Sequence, residues 1–483
     1  MKHALRAISI LTASSILVAV ASVLRYKAVA QWLGSSGVGT LGLMVAVTTL
    51  AITVVGLGLG TSGVRSVAQS AEDVRLQRTK SLALLIGSGI LAVIGFVAVS
   101  LLAGIESLTG IPDPPWEFRV AMGATVASTV FNAGQLAFLN GRGRLHLMAV
   151  CNIAGAAIGT VLTLVAVGTA GYTGLAVALA GVPLATAALT AVVVKRDLRS
   201  LSGAPRCTAR ELWSELRGMA ALGVVVTLAL TVGSAAQLGA RLLVRDRLGL
   251  EAAGLYQATW VITTLYLSFL LASLGAEYFP RISRLRHEPA AASRALDDQI
   301  VLTLLIAGPI IAWAILLAPL GLRILYSAEF TTADELLRWQ LAGDVLKLPG
   351  WAVGFLLLAT ERRLAFLVTE LVWNATFLAL LLPLSQAWGL TGVGVASLVA
   401  YTTYLLACYV AARRACGYLP RRTTLVAVGA ATLLTAALLA STLALGSPLI
   451  AGFLALSATA ICAVLVRRQW TGQQPEARVE SVR

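Results

Sequence analysis

Apolar stretches of roughly 18 to 25 residues recur along this chain, separated by short polar breaks. At about 1.5 Å of rise per residue, each is long enough to carry a helix through the ~30 Å hydrocarbon layer of a bilayer. Fourteen such stretches fall at approximately 8–32, 38–62, 81–104, 119–140, 145–169, 172–194, 218–240, 252–276, 299–322, 339–359, 364–384, 390–412, 423–443 and 447–466. Only helices are plausible for them, because an isolated strand in lipid leaves its backbone N–H and C=O groups unbonded. Composition agrees: 58% of the 483 residues are hydrophobic and 12% charged, more apolar surface than a soluble domain could hide. We therefore expect an all-α polytopic membrane protein with about 14 transmembrane helices. The first apolar run has no cleavage-like polar break, so it is expected to remain as the first span.

The net charge of +15 is distributed by loop. If the N-terminus is cytoplasmic, the even-numbered connections carry the cations: Arg65, Arg75, Arg78 and Lys80, then Arg142 and Arg144, then Lys195 to Arg217 including Arg206. The pattern continues through Arg281 to Arg294, Arg362 and Arg363, Arg413 to Arg422, and a tail ending in Arg478 and Arg483. The opposite breaks carry acids such as Glu106, Asp113, Glu329 and Asp334. This positive-inside bias puts both termini in the cytoplasm. The basic surplus is a topology signal and a contact for anionic lipid, and nucleic acid is not an expected partner.

The chain also repeats. LGSSGVGTLGLMVAVTTL, 33–50, aligns with LGLEAAGLYQATWVITTL, 248–265, at an offset of 215. GYTGLAVALA from Gly171 aligns with GLTGVGVASL from Gly389 at 218. Two matches at nearly one spacing imply two pseudo-symmetric six-helix lobes in parallel orientation. The expected division is an N-terminal lobe, 1–195; a basic cytoplasmic linker, 196–217; a C-terminal lobe, 218–415; and two extra helices with a tail, 416–483.

Enzymatic chemistry finds little support. No extramembrane segment exceeds about 25 residues, too few for a soluble catalytic domain, and there is no P-loop, H-E-x-x-H or nucleophile elbow. No catalytic residue or cofactor is expected. The three histidines, His3, His146 and His287, are scattered singly, so no metal site is expected either. GLGLGTSG, 56–63, could pass for a nucleotide-binding loop, but it follows a membrane helix rather than a strand and reads as packing or hinge.

Polar residues inside spans are more informative, each costing at least ~2.5 kcal/mol at mid-bilayer unless it faces protein or water. Arg25 and Lys27 lie in the outer half of the first span. They could snorkel to the interface, yet the apolar run continues beyond them, and Arg241 and Arg245 lie near the corresponding place in the second repeat. A cationic cavity on the shared axis would suit a diphosphate. Asn132 and Gln135 could line it for sugar hydroxyls or act as interhelical glue. Asp344 and Lys347 could pair with each other or take part in transport. Glu370 has no cation at helical spacing, so it needs a hydrogen bond from elsewhere or serves ion coupling.

The stretch FTTADELLRWQLAGDVLKLPGWAVGFLLLA at 330–359, with LGSSGVGTLGL and EYFPRISRL at 277–285, resembles the Wzx-type flippases of O-antigen and enterobacterial common antigen. These belong to the multidrug/oligosaccharidyl-lipid/polysaccharide exporter superfamily. The resemblance implies a V-shaped pair of six-helix lobes that moves an undecaprenyl-diphosphate-linked oligosaccharide to the periplasmic leaflet by alternating access. It also implies membrane lipids and a polysaccharide polymerase complex as surroundings. The competing readings are a drug/cation antiporter of the same superfamily, whose substrates a basic cavity would repel, and a membrane-embedded glycan polymerase or ligase.

Overall fold

The computed structural model describes residues 2–70, 72–102, 116–201 and 207–472, and every regular element among them is helical. Glu106, Asp113, Arg206, Arg478 and Arg483 lie outside the described residues. In chain order the helices are α1 (Lys2–Gly56), α2 (Leu59–Ala68), α3 (Val74–Ser100), α4 (Trp116–Gly141), α5 (Leu145–Ala170), α6 (Leu175–Arg199) and α7 (Ala209–Leu248). They continue as α8 (Leu250–Arg284), α9 (Pro289–Leu316), α10 (Ala318–Leu325), α11 (Asp334–Ala359), α12 (Arg363–Cys416), α13 (Arg422–Leu439) and α14 (Pro448–Gly472).

Nine stretches among the described residues are long and apolar enough to cross a bilayer, and three of them, Ala13–Gly56, Leu145–Arg199 and Arg363–Cys416, are long enough for two passes. α4 and α7 match two further expected spans, with 26 and 40 residues. The chain is thus an all-α polytopic membrane protein.

Glycine marks where the long stretches break. Gly34 (φ 67°, ψ −165°) interrupts α1, and Gly249 (φ 94°, ψ 170°) separates α7 from α8. Gly171 (φ 58°, ψ −125°) ends α5, and Gly389 (φ 57°, ψ −133°) interrupts α12. These conformations are costly for any residue with a Cβ. Their offsets, 215 from 34 to 249 and 218 from 171 to 389, are those of the sequence repeat.

Packing repeats in the same register. A Cβ on Gly39 would lie 2.4 Å from the Leu250 carbonyl oxygen, and one on Gly254 would lie 1.9 Å from that of Ser35. Each residue of the first contact is related to one of the second by the 215 offset, so the start of α8 and the segment of α1 after its kink meet reciprocally, backbone against backbone. A Cβ on Gly174 would meet the Ala166 oxygen at 2.4 Å, and one on Gly392 the Leu384 oxygen at 1.9 Å, again one contact in two copies. At GLGLGTSG, Leu57 and Gly58 take φ of 44° and 61°, and a Cβ on Gly58 would meet the Gly223 oxygen of α7 at 2.7 Å. The packing reading of that stretch holds.

The helices group into two compact units, Met1–Gln257 with Leu325–Ser327, and Ala258–Ile324 with Ala328–Arg483. In the first, α4 packs between α3 and α6, and Leu59, Val67, Leu84, Phe138, Val194 and Met219 share one apolar cluster. Across the α4–α5 turn, Asp197 of α6 meets Arg142 at 2.7 Å and Arg144 at 3.2 Å. In the second, α11 packs along α12, and α13 and α14 lie against α9. The quoted 277–285 and 330–359 strings meet here: buried Tyr278 donates to the Ala352 carbonyl at 3.1 Å, and its ring lies 6.3 Å from those of Trp351 and Phe355.

Buried Asp297 of α9 anchors the C-terminal helices, accepting from the Tyr418 hydroxyl at 2.8 Å, the Thr424 hydroxyl at 2.6 Å and the Arg421 backbone N–H at 3.3 Å. Burial, and then the Asp297 carboxylate, raise the Tyr418 phenol well above its ordinary range, so it remains a donor.

At the start of α7, Glu211 and Thr208 cap each other: the Thr208 N–H donates to the Glu211 carboxylate at 2.8 Å, and Arg75 lies 2.9 Å from it. The Thr208 hydrogen bonds, with the Arg75 guanidinium, hold this carboxyl below the usual range. A carboxyl whose folded pKa is depressed stabilises the fold above its unfolded pKa and loses that contribution as pH falls through the folded value. Below pH of about 4, the first-turn amides of α7 should therefore lose protection from hydrogen exchange, relative to intrinsic rates, in the native chain but not additionally in Glu211→Gln.

The glycine contacts carry a second expectation. Gly254→Ala should destabilise by ~1–3 kcal/mol, as overpacking against backbone does, and lower the melting temperature in detergent. Gly218→Ala, whose Cβ meets nothing within 4 Å, should be neutral or slightly stabilising.

Candidate functional site

The expected polar residues divide between the two units: Arg25, Lys27, Asn132, Gln135, Arg241 and Arg245 belong to the first, and Asp344, Lys347 and Glu370 to the second. In the first unit the centre is a side chain the sequence reading did not single out. Gln257, 3% exposed, accepts from Arg241 Nε at 2.8 Å through its Oε1, and its Nε2 approaches the Tyr26 hydroxyl at 3.5 Å. Arg241, 6% exposed, also donates to the Gln237 carbonyl at 3.0 Å. Tyr326 packs its ring 6.4 Å from that of Tyr26.

The repeat register explains this arrangement. At an offset of 215, Tyr26 corresponds to Arg241 and Gly42 to Gln257, whereas Arg25 corresponds to Ala240. A Cβ on Gly42 would come within 2.7 Å of Gln257 Cγ. Glycine in one repeat thus makes the space that the glutamine of the other fills, and the two residues it reaches are themselves repeat partners. A polar residue inside a span opposite a glycine was the signal available in the sequence.

Arg25 is partly buried and its Nε has no hydrogen-bond partner among the described residues. Lys27 is likewise partly buried. Arg245 donates to its neighbour Asp246 at 2.8 Å. On α4, the Asn132 and Gln135 side-chain oxygens are buried with no hydrogen-bond partner among the described residues.

In the second unit, Asp344 and Lys347 do not bond each other; no ion pair within 4.0 Å joins them among the described residues. Asp344, 2% exposed, accepts from the Tyr266 hydroxyl at 2.6 Å. The Lys347 ammonium lies 5.3 Å from the Tyr401 ring centroid, a cation–π distance. Glu370 accepts from the Tyr404 hydroxyl at 3.1 Å, the hydrogen bond a lone acid needs. Gln340, one turn before Asp344 on the same face of α11, is buried with both amide atoms unpartnered. Tyr266, Gln340, Tyr401 and Tyr404 were missed because one aromatic or amide in an apolar run looks like ordinary core.

If the Arg241–Gln257 contact is a buried charge-assisted hydrogen bond, a double-mutant cycle of Arg241→Met and Gln257→Leu, read by thermal unfolding in detergent, should give a coupling of about 1.5–3 kcal/mol. Additive effects of the two would show that the contact carries no specific energy.

Comparison with known proteins bears on the family and the fold. A family model described as "Polysaccharide biosynthesis protein" matches residues 4–286. The "Lipid III flippase" of Escherichia coli (strain K12) is 26% identical over 258 residues, 53% of this chain and 61% of the relative, so the match spans less than two thirds of that protein's length. Among solved structures, "Lipid II flippase MurJ, inward closed conformation" superposes with a TM-score of 0.70 at 11% identity, covering 97% of this chain and all of that one. An inward-facing multidrug resistance MATE family transporter of the MOP superfamily gives 0.67 at 18% identity, covering 84% of this chain and 97% of that one. At such identities the structural likeness establishes the fold alone. The family match takes in more than half of the sequence and both of its first-repeat glycine turns, and the chain belongs to the polysaccharide biosynthesis protein family.

Proposed function

We propose that the protein is a flippase for a lipid-linked oligosaccharide, carrying an undecaprenyl-diphosphate-linked unit, O-antigen or a related surface glycan, from the cytoplasmic to the periplasmic leaflet of the inner membrane. The observation that carries this reading is the concentration of cations in helices read as membrane spans: Arg241 held by the neutral Gln257 amide, with Arg25, Lys27 and Arg245 in the same compact unit. A guanidinium offers an anion charge-assisted hydrogen bonds, and weak screening in a desolvated setting strengthens that attraction. Arg25, Lys27, Arg241 and Arg245 would draw the diphosphate, and Asn132 and Gln135 would bond sugar hydroxyls. In the second unit, Asp344, Lys347 and Glu370 form a separate polar group that serves substrate contact and ion coupling during alternating access.

The positive-inside bias supports cytoplasmic termini, and a polysaccharide polymerase is the partner class expected to take the delivered unit. The name of the lipid III flippase relative supports a lipid-linked substrate, and the match to the polysaccharide family supports the glycan. A drug/cation antiporter would need a site attractive to cations, which four basic residues oppose.

Replacing Arg25 and Lys27 together by alanine should abolish export of the surface glycan while leaving membrane insertion and folding intact. Normal glycan assembly in cells with wild-type levels of the double variant would overturn the role of these residues. Reconstituted vesicles test the activity itself: purified protein should bring a lipid-linked oligosaccharide to the opposite leaflet unchanged, whereas formation of new glycosidic bonds would mark an enzyme.

A further inference from the structure

A second basic feature lies away from both clusters, where the two halves of α12 come together at their outer ends. The kink at Trp388–Gly389 turns α12 back on itself, bringing its first turn beside its last. Thr360 Oγ1 and Cys416 Sγ, 3.7 Å apart, tie these ends together. Between them is a groove of about 800 Å³, within the ~300–1,000 Å³ typical of small-molecule sites.

Its rim carries Arg362, Arg363 and Arg414, and its floor includes Leu364, Val368, Leu406 and Val410. The three arginines are exposed, and no carboxylate lies within 4.0 Å of their guanidinium groups among the described residues. The one acid on the rim, Glu361, sits in a left-handed turn (φ 61°) and leans toward Arg286 at 3.8 Å. The floor is uncovered: Leu364 is 74% and Leu406 59% exposed.

We infer that this groove is a binding site for an anionic glycerophospholipid, with the phosphate on Arg362, Arg363 and Arg414 and an acyl chain along the Leu364–Val410 floor. Charge complementarity commits it to an anion. Three cations from two helix ends line one groove against a single acid, Glu361, which lies 3.8 Å from Arg286, and basic pockets between membrane helices on the cytoplasmic side suit anionic headgroups. The apolar floor sets the ligand apart from a soluble phosphate, since it runs from the arginines into the spans at 364–384 and 390–412, where an acyl chain can lie along it and a free phosphate cannot follow. The side of the membrane follows the positive-inside topology proposed above; the site itself does not depend on flipping.

The test uses the full chain in detergent, titrated with phosphatidylglycerol or phosphatidylcholine and read by native mass spectrometry and thermal unfolding. Wild type should retain phosphatidylglycerol and be stabilised by it, with no comparable response to phosphatidylcholine. Arg362→Ala/Arg363→Ala/Arg414→Ala should weaken that binding at least about tenfold. Leu406→Trp, which fills the floor and leaves every charge in place, should weaken it as well and keeps the test decisive if the triple variant does not fold. Equal uptake of the two lipids by wild type, or unchanged phosphatidylglycerol binding in Leu406→Trp, would overturn the proposal. So would displacement of phosphatidylglycerol by an equimolar prenyl diphosphate, which would assign the groove to the transport substrate. Loss of lipid binding with flipping intact separates this site from the transport reading.

Discussion

In hydrocarbon, a backbone N–H or C=O without a partner costs several kcal/mol, and no solvent is present to relieve it. Every long segment among the described residues is therefore helical, and each break has to be confined to a few residues. The breaks at 34, 171, 249 and 389 fall on glycines in backbone conformations that residues with a Cβ avoid. The same lack of a side chain lets the backbones of α1 and α8 touch at Gly39 and Gly254. Without a hydrophobic drive between helices in lipid, this close contact is a main source of their association. One residue type thus decides both where the chain turns and how tightly the turned segments pack.

The charges obey the complementary rule. An intramembrane ionisable group is kept only where the protein satisfies it, and the two clusters do so differently. Arg241 is held by an amide and a backbone carbonyl, which leave its formal charge uncompensated by those partners. Asp344, Lys347 and Glu370 instead sit among tyrosines that donate hydrogen bonds or offer a ring face. The first arrangement is suited to attracting an anion. The second holds its charged groups by neutral hydroxyls and a ring face, and ion coupling there belongs to the function proposed above.

The fold was largely legible because its causes are local: span length and glycine turns can each be read within a few dozen residues. The near-equality of the 215 and 218 offsets returned as nearly equal backbone angles at Gly171 and Gly389. The clusters were legible only in part. Arg241 stood out as a charge in an apolar run, but its partner Gln257 is sixteen residues away on the next helix, and only the register with Gly42 pointed to it. The supposed Asp344–Lys347 pair rested on spacing alone; which way each side chain turns depends on the tyrosines around them, which no spacing rule supplies.

Asp297 makes the C-terminal region more than an addition. Tyr418, Arg421 and Thr424, which satisfy this buried carboxylate, all come from the turn into α13 and its first residues. A shorter chain ending at Cys416 would leave a desolvated acid on α9 stripped of these donors, so losing the last two helices would also require a new residue at position 297. The acid and the entry into α13 are thus one buried polar unit, and neither can be altered without leaving the other's hydrogen-bonding groups unmatched.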